Sequence, residues 1–259
     1  MTQLTFENVS VRYPVPLGGR ERSIVTAAAA TASFGRIAGD VKSLTYVEAL
    51  KDISLDFKTG DRIGFIGRNG SGKSTLLKTA AGMLAPHKGD LKVDGMVTAI
   101  LKLGAGVQMD RSARRNVPTL ARLIGVPRSE IDAMTADLED FTELGPFFDM
   151  PVRTYSAGMV VRLMFGALTY KPGEILIVDE VIGAGDAYFI EKAQKRAEGM
   201  FADASLLLLA THSGQILKRL CTEVVWLEGG EIVERGDPES VWQSFQSRLK
   251  SVGPSGAIK

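Results

Sequence analysis

The sequence predicts an α/β fold with a mainly parallel core sheet and an inserted helical segment. Three observations carry this prediction. Strand patterns alternate with helix patterns along the chain, which is typical of parallel sheets connected by helices. Two short, wholly apolar runs, at 175–178 and 206–210, are typical of strands that are covered on both faces. Between the two groups of strands, residues 116–148 show only helical spacing of their apolar side chains.

The individual elements follow from local patterns. Residues 4–13 alternate apolar and polar side chains as a half-buried strand does. Breaks in the helical spacing are expected at Pro127 and Pro146. In chain order, we predict strands at 4–13, 47–57, 62–66, 90–103 (interrupted by a turn at Asp94-Gly95), 175–178 and 206–210, and helices at 74–83, 116–148 and 158–170.

The connection between the first two strands is unusually long. It begins with Pro14, Pro16, Gly18 and Gly19 and continues as a polar, alanine-rich stretch to about Tyr46. Connections of this length are uncommon inside a compact domain. We therefore expect the insertion at 14–46 to contain a helix or to be functional.

Composition excludes several classes of protein. The chain has 259 residues with a formal net charge of +1, so neither a nucleic-acid coat nor a polybasic membrane tail is indicated. The single cysteine, Cys221, cannot form a disulfide within the chain, which agrees with a reducing compartment. No stretch approaches the ~20 apolar residues of a membrane span, and no signal peptide is recognisable. We expect a soluble, cytoplasmic protein.

The glycine content points to close backbone approaches. The chain has 28 glycines, whereas average usage predicts about 18 in a chain of this size. Three of them lie in the run Gly67-Arg68-Asn69-Gly70-Ser71-Gly72-Lys73-Ser74-Thr75, which matches G-x-x-x-x-G-K-[ST] between a strand pattern and a helix pattern. This run predicts a phosphate-binding loop for a nucleoside triphosphate, ATP, with Lys73 on the β- and γ-phosphates and Ser74 on Mg²⁺. The alternative is a glycine-rich turn with a solvated lysine.

Polar residues follow the two apolar strands. Asp179 and Glu180 end the first, where parallel sheets place their ligands. Asp179 suits a magnesium ligand through water, and Glu180 suits a general base for the attacking water. His212 leaves the second strand and could contact the γ-phosphate. The alternatives are two acids that simply end a strand and a structural histidine; His87 has no such context and we expect it to be solvated.

A second anion-binding helix start is predicted at Tyr155-Ser156-Ala157-Gly158-Met159. Ser156 is a natural N-cap, and Gly158 permits close approach of a backbone. An ordinary capped helix explains the same pattern, so the pattern alone is weak.

Taken together with the other motifs, this segment makes the chain resemble the ATP-binding subunits of ABC transporters. The resemblance extends over nearly its whole length and includes the order of the motifs. Residues 155–159 stand where that family has its Leu-Ser-Gly-Gly-Gln signature, with three departures from it. Tyr-Ser-x-Gly-Met together with Asp-Glu-x-x-x-x-Gly-Asp-x-x-Phe at 179–189 is similar to the branch that exports O-antigen, teichoic acid and capsule. Leu103-Gly104-Ala105-Gly106 strengthens the similarity to the O-antigen type.

The resemblance implies the remaining features of the site. Family members bind ATP between two subunits placed head to tail, so a homodimer is expected, with Ser156 and Gly158 of one copy capping ATP on the other. Gln108 is the candidate for the family's magnesium-contacting glutamine, although it lies a few residues later than the usual spacing from Asn116. Tyr13 matches the adenine-stacking aromatic, with a strand-end tyrosine as the alternative.

The complete expected site is therefore as follows. The catalytic residues are Glu180, His212 and Lys73. The nucleotide-binding residues are Tyr13, Gly67, Arg68, Asn69, Gly70, Ser71, Gly72, Lys73, Ser74, Thr75, Ser156 and Gly158. The metal ligands are Ser74, Asp179 and Gln108.

The resemblance also implies a P-loop NTPase fold with an antiparallel β subdomain in addition to the parallel core. We expect one ABC domain over 1–259, with a nucleotide-binding core at about 1–100 and 171–250, a helical subdomain at about 104–170, the insertion at 14–46 and a tail at 251–259. Residues 18–46 of the insertion are expected to contact the membrane partner or the lipid-linked glycan. Four arginines near Gln108 form either a solvated helix face or a docking site for an acidic partner loop, namely Arg111, Arg114, Arg115 and Arg122.

The function expected from the resemblance is ATP hydrolysis in a bacterial exporter of lipid-linked polysaccharide, O-antigen first. The partners would be a second copy, a dimeric integral membrane permease at the inner membrane and the glycan substrate, and no nucleic acid. Three alternatives remain at this point: an exporter of another cargo such as teichoic acid, capsule, a drug or a lipid, a soluble P-loop kinase, and a non-transporting ABC protein.

Overall fold

The computed structural model describes residues 2–15, 37–39, 45–101, 106–179 and 187–251. In chain order, the described strands β1 to β10 are Gln3–Val15, Ile37–Gly39, Thr45–Lys58, Arg62–Ile66, Lys88–Asp94, Val97–Ile100, Ile175–Asp179, Leu206–Ala210, Glu223–Glu228 and Glu231–Gly236. The described α-helices α1 to α7 are Lys73–Ala80, Ala113–Leu123, Ile131–Thr142, Ala157–Leu168, Ala187–Asp203, Gly214–Leu220 and Pro238–Ser251. Short 3-10 turns occur at Arg128–Glu130, Gly145–Asp149 and Val152–Thr154.

The chain divides into two compact units. The first unit consists of Met1–Gly95 and Leu206–Lys259, and the second unit is Met96–Ser205.

An antiparallel sheet in the first unit has the strand order β2-β3-β1-β5. Strand β1 pairs with β3, for example Leu4 with Phe57 and Phe6 with Leu55. The predicted alternation holds for Leu4 and Phe6, which are buried, and then breaks at a register shift beside Asn8, whose φ is 50°. A bulge of this kind explains why Val9 and Val11 remain on the core side after the strand bends.

Parallel strands in the first unit place the end of β4 at the functional region. Strand β4 lies between β8 and β9 and is parallel to both, with Ile63 opposite Leu208 and Phe65 opposite Val225. Residues 63–66 of β4 are all buried, so this strand is covered on both faces. Strand β10 extends this sheet antiparallel to β9.

Cys221 lies directly after α6 and is packed against β4. A Cβ added to Gly64 would lie 3.1 Å from the Cys221 sulfur, so the glycine makes room for the thiol. Burial raises the pKa of the Cys221 thiol to about 12, which keeps it protonated at neutral pH.

The second unit combines a parallel strand pair with helices. Strand β6 pairs with β7, for example Ala99 with Ile177, and the buried Thr98 hydroxyl accepts a hydrogen bond from the Gly173 N–H at 2.7 Å. The helices share a buried apolar cluster that includes Val117, Leu138, Phe148 and Leu163. The predicted helical segment is confirmed, with a break between α2 and α3 near Pro127.

The element boundaries differ from prediction in physically explicable ways. Helix α2 begins at Ala113 rather than near 116, because the Ser112 side chain caps it by accepting the Arg115 N–H at 3.3 Å. Helix α1 ends at Ala80, three residues before the predicted end, where the chain turns back with Gly82 at a φ of 70°. Of the insertion at 14–46, residues 37–39 add strand β2 to the antiparallel sheet, and residues 16–36 and 40–44 lie outside the described residues.

Among the described residues, no helix combines the length and the apolar character needed to cross a membrane. Helix α5, which the sequence patterns did not predict, has 17 residues and alternates charged with apolar side chains.

Two helical glycines of the second unit provide a test of its packing. A Cβ at Gly166 on α4 would lie 2.8 Å from Leu138 Cδ2 and 2.9 Å from Phe141 Cδ1, whereas a Cβ at Gly199 on α5 would meet nothing within 4 Å. Overpacking costs about 1–3 kcal/mol, and alanine gains about 1 kcal/mol over glycine in a helix. Gly166→Ala should therefore lower the free energy of unfolding by about 1 kcal/mol, while Gly199→Ala raises it by up to about 1 kcal/mol. Urea denaturation of both variants measures this, and equal effects would contradict the packing described.

Candidate functional site

The loop between β4 and α1 has the conformation of a phosphate cradle. Gly67, Gly70 and Gly72 all have positive φ, at 147°, 78° and 113°. Lys73 is only 8% exposed, and its Nζ donates hydrogen bonds to the carbonyl oxygens of Gly67 at 2.6 Å and Arg68 at 3.3 Å. The lysine thus closes the loop and holds its ammonium group inside it.

The start of α1 is chemically suited to an anion. Residue 72 makes no side-chain cap, and the first turn carries no acidic residue. The N–H groups of this turn and the positive end of the helix dipole therefore face no competing negative charge on their own helix. The Ser74 side chain is exposed in the same turn. These residues fit a nucleotide phosphate with Ser74 available as an oxygen ligand to Mg²⁺.

The phosphate loop is locked to two distant segments of the first unit. The Gly230 N–H donates to the Ser71 carbonyl at 3.0 Å, and the Lys51 N–H donates to the Gly230 carbonyl at 2.9 Å. A Cβ at either Gly72 or Gly230 would lie 2.7 Å from the Ala49 carbonyl oxygen. Sequence reasoning missed this contact, although the pair Gly229-Gly230 between two strand patterns was a signal for it.

Two further candidate site residues, Tyr13 and His212, lie in the same unit as the phosphate loop. The Tyr13 hydroxyl is 3.4 Å from Thr75 Oγ1, which brings the end of β1 to the first turn of α1. His212 is exposed and follows β8, the neighbour of β4, and the Thr211 N–H donates to the Phe65 carbonyl at 3.4 Å. Tyr13 therefore lies beside the first turn of α1, and His212 follows the carboxyl end of a strand that neighbours β4. His87 is exposed, as predicted.

The second unit carries the acidic candidates. Asp179 is the last residue of β7 and is partly exposed, in contrast to the buried residues before it. Glu180 and residues 181–186 lie outside the described residues, as do residues 102–105. The described residues hold no group of three or more histidine, cysteine, aspartate or glutamate side chains arranged for a metal.

Ser156 is the N-cap of α4, as predicted, and its hydroxyl accepts the Met159 N–H at 3.3 Å. A Cβ at Gly158 would meet only Ser156 Oγ, at 3.9 Å, so this helix start is open to a ligand. Both residues line a depression of about 640 Å³ within the second unit, together with Phe147, Met159 and Arg162.

Tyr155 anchors the approach to this helix. Its hydroxyl donates to the Phe147 carbonyl at 2.6 Å, and its ring packs edge-on against Phe147. Burial raises the pKa of the Tyr155 phenol above its usual value, so it remains a hydrogen-bond donor. The tyrosine therefore has a structural role at a position where the family signature usually has leucine.

The Gln108 side chain is exposed, and its backbone is held by the buried side chain of Asn116. The four arginines nearby are all exposed, as both a solvated face and a docking site require, and Arg111 precedes α2. Arg114 forms ion pairs with Asp149 at 2.7 Å and Glu139 at 3.0 Å, and the hydrogen bonds to these two carboxylates raise its pKa.

The strand, glycine loop and helix at 62–80 define a P-loop nucleotide-binding protein. Residues 50–183 match the family model for ABC transporters. The chain is also 38% identical over 234 residues to the O-antigen export system ATP-binding protein RfbE of Yersinia enterocolitica, covering 90% of this chain and 98% of that protein. The chain belongs to the ABC transporter family. It is the transporter subunit that binds and hydrolyses ATP.

Other relatives are longer than this chain. It is 37% identical to the O-antigen export system ATP-binding protein RfbB of Myxococcus xanthus, over 80% of this chain and 48% of that protein. It is 36% identical to the teichoic acids export ATP-binding protein TagH of Lactococcus lactis, over 76% of this chain and 42% of that protein. The chain thus spans about half or less of the length of these two relatives.

Solved structures confirm the fold. A dimeric ATP-binding cassette in a post-hydrolysis state, bound to ADP and Pi, superimposes with a TM-score of 0.65 at 19% identity, covering 91% of this chain and 98% of that one. An ATP-binding subunit of an ABC transporter gives a TM-score of 0.67 at 20% identity and covers 95% of each chain. The predicted P-loop NTPase fold is confirmed.

The contact between Gly230 and the phosphate loop can be tested with a matched pair of glycines. Gly230 and Gly82 both have positive φ, at 84° and 70°, but only Gly230 approaches another backbone. Either alanine variant pays roughly 1 kcal/mol for the left-handed backbone. Gly230→Ala must also displace the phosphate loop, so its ATP affinity should fall about tenfold, whereas that of Gly82→Ala stays within about twofold. Fluorescent-nucleotide titration measures both constants, and equal affinities would show that the contact does not shape the loop.

Proposed function

We propose that the chain drives export of a lipid-linked polysaccharide, O-antigen first, across the bacterial inner membrane. The observation that carries this proposal is the 38% identity to an O-antigen export ATP-binding protein over 98% of that protein's length. The signature segment at 155–159 supports the same branch, because Tyr155 and Met159 stand where the family usually has leucine and glutamine.

Each site residue has its own role in the proposed ATP hydrolysis. The loop at 67–75 holds the phosphates, with Lys73 neutralising charge on the β- and γ-phosphates and Tyr13 stacking on the adenine. Ser74 and Gln108 would hold Mg²⁺ through their side-chain oxygens and Asp179 would hold it through water, and the ion would polarise the γ-phosphate. Glu180 accepts the proton of the attacking water, and His212 donates a hydrogen bond to the γ-phosphate.

The working form in this proposal is a homodimer. The chain has one phosphate loop and one Ser156 helix start. In a head-to-tail pair, each Ser156 and Gly158 would cap the triphosphate held by the other copy, so both sites close together. The open depression at Ser156 supports this arrangement, because it leaves room for a phosphate ligand.

The dimer would act on a separate integral membrane permease from the cytoplasmic side of the inner membrane. Closure over two ATP molecules would move the permease between its two orientations, and hydrolysis would reset it. Residues 18–46 of the insertion are the candidate for contact with the permease or with the glycan. A teichoic acid exporter is the second candidate, favoured by the 36% identity to TagH.

The cargo is tested by purification from native membranes through an affinity tag on this chain. We expect an integral membrane protein and a polyprenyl-linked glycan to co-purify in the presence of a non-hydrolysable ATP analogue. Mass spectrometry of the bound lipid separates O-antigen from teichoic acid. Recovery of the permease with a drug or a simple lipid instead would contradict glycan export while leaving the ATPase role intact.

Glu180→Gln should convert the protein into an ATP-dependent dimer. The amide cannot accept the proton of the attacking water, so ATP is bound and not hydrolysed. Size-exclusion chromatography with light scattering should show a dimer with Mg·ATP and a monomer with Mg·ADP. A variant that remains monomeric at saturating Mg·ATP would refute the proposed head-to-tail site.

Ser156→Ala in the Glu180→Gln background separates capping from ligand binding. Loss of an N-cap costs about 1 kcal/mol of stability. Asp237 caps α7 by accepting the N–H groups of Glu239 at 2.9 Å and Ser240 at 3.0 Å, so Asp237→Ala is a matched control. Both variants should lose similar stability in urea denaturation, but only Ser156→Ala should lose the ATP-dependent dimer. Equal dimerisation of the two variants would remove Ser156 from the proposed interface.

A further inference from the structure

The Asn116 side chain is almost completely buried and is surrounded by main-chain groups. It is 1% exposed and lies in the first turns of α2. Its Oδ1 accepts the Gln108 N–H at 2.8 Å. Its Nδ2 lies within hydrogen-bond distance of the carbonyl oxygens of Gln108 at 3.0 Å, Arg111 at 3.3 Å and Ser112 at 2.9 Å. One carboxamide therefore engages both the N–H and the C=O of Gln108, much as a neighbouring strand would.

This arrangement fixes the orientation of the Asn116 amide group. The oxygen faces a donor and the nitrogen faces three acceptors. A flipped amide would place donor against donor and acceptor against acceptor, and none of these hydrogen bonds could form. A buried amide with its hydrogen bonds made is favourable, whereas the backbone groups left behind without it would be costly. The site therefore selects asparagine over any apolar residue and over aspartate.

The segment held by Asn116 is also joined to the chain that leads to Ser156. The Arg153 N–H donates to the Met109 carbonyl at 2.9 Å, and the Val152 N–H donates to the Arg111 carbonyl at 3.0 Å. Ser112 and Pro151 form an antiparallel bridge, and the Tyr155 N–H donates to the Val152 carbonyl at 2.9 Å. Residues 109–112 thus pair with residues 151–153. Gln108 lies directly before the first of these segments, and the Ser156 helix start follows the second.

We propose that Asn116 is a positioning residue for ATP hydrolysis, because its buried carboxamide fixes the backbone of Gln108 and thereby aims the exposed Gln108 side chain at its ligand. The proposal rests on the proposed function in one respect, since it takes Gln108 as a ligand to the magnesium of the bound nucleotide. Asn116 itself is buried in the second unit and acts only through the backbone of the residues it holds.

The test compares the full-length wild type with Asn116→Ala, the near-isosteric Asn116→Asp, Gln108→Ala and the double variant Asn116→Ala/Gln108→Ala. Thr169→Val is the matched control, because the Thr169 hydroxyl is also buried in the second unit and donates to a helical carbonyl, that of Phe165, at 2.7 Å. Steady-state ATPase assays give kcat and KM, and urea denaturation gives the stability of every variant.

In the activity assay, Asn116→Ala and Asn116→Asp should lower kcat about tenfold or more with KM for ATP within about twofold, because ATP is held by the phosphate loop. Gln108→Ala should lower kcat similarly, and the double variant should be no slower than Gln108→Ala alone. Thr169→Val should lose comparable stability with kcat unchanged. Multiplying effects in the double variant, or an unchanged kcat in Asn116→Ala, would overturn the proposal.

Hydrogen exchange provides a measurement that is independent of activity. The Gln108 N–H should be protected in the wild type although the side chain is exposed, and its exchange should accelerate about tenfold or more in Asn116→Ala. In Thr169→Val it should remain protected. Unchanged protection in Asn116→Ala would overturn the proposal. If the wild type itself does not hydrolyse ATP, the proposed function fails, whereas loss of protection together with unchanged kcat defeats only the positioning role.

Discussion

The constraint on which the nucleotide site depends is a contact between three stretches of main chain that leaves no room for side chains. Gly72 and Gly230 both face the Ala49 carbonyl oxygen so closely that an added Cβ would lie 2.7 Å from it. Hydrogen bonds from Gly230 to Ser71 and from Lys51 to Gly230 complete the contact. The phosphate loop therefore takes its shape from residues that are far away in the sequence, and Lys73 can then close it from within.

In the second unit, a main-chain segment is held in place by a side chain and not by contacts between glycines. Its segment at 108–112 is too short and irregular to form a full strand ladder, and the Asn116 carboxamide supplies the hydrogen bonds that a strand would supply. A buried amide is favourable only when its donors and its acceptor are all matched, so it specifies one backbone conformation. Several groups expected to touch ligand, such as Ser74 and Gln108, are exposed, whereas Lys73 is buried, as are Gly230 and Asn116, which place these segments.

The sequence was sufficient where the determining residues are neighbours. Strand β4, the glycine loop and α1 form one continuous pattern, and Ser156 caps the helix that directly follows it. The contacts missed were those of irregular loop segments: Gly230 with Gly72, which are far apart in the sequence, and Asn116 with Gln108, which are eight residues apart. Neither has a periodicity to detect, because each depends on how segments pack. The bulge at Asn8 was missed for a related reason, since a left-handed residue within a strand depends on the partner strand.

The buried thiol of Cys221 determines how the chain can be labelled. Cys221 is the single cysteine of the chain, and burial raises its pKa to about 12, so very little thiolate is available to a labelling reagent at neutral pH. This chain is therefore already a suitable background for spectroscopic probes, without removal of its own cysteine. A cysteine introduced at an exposed position of either unit would be the one reactive thiol. Pairs of such labels could report distances between the two units while nucleotide is bound and hydrolysed.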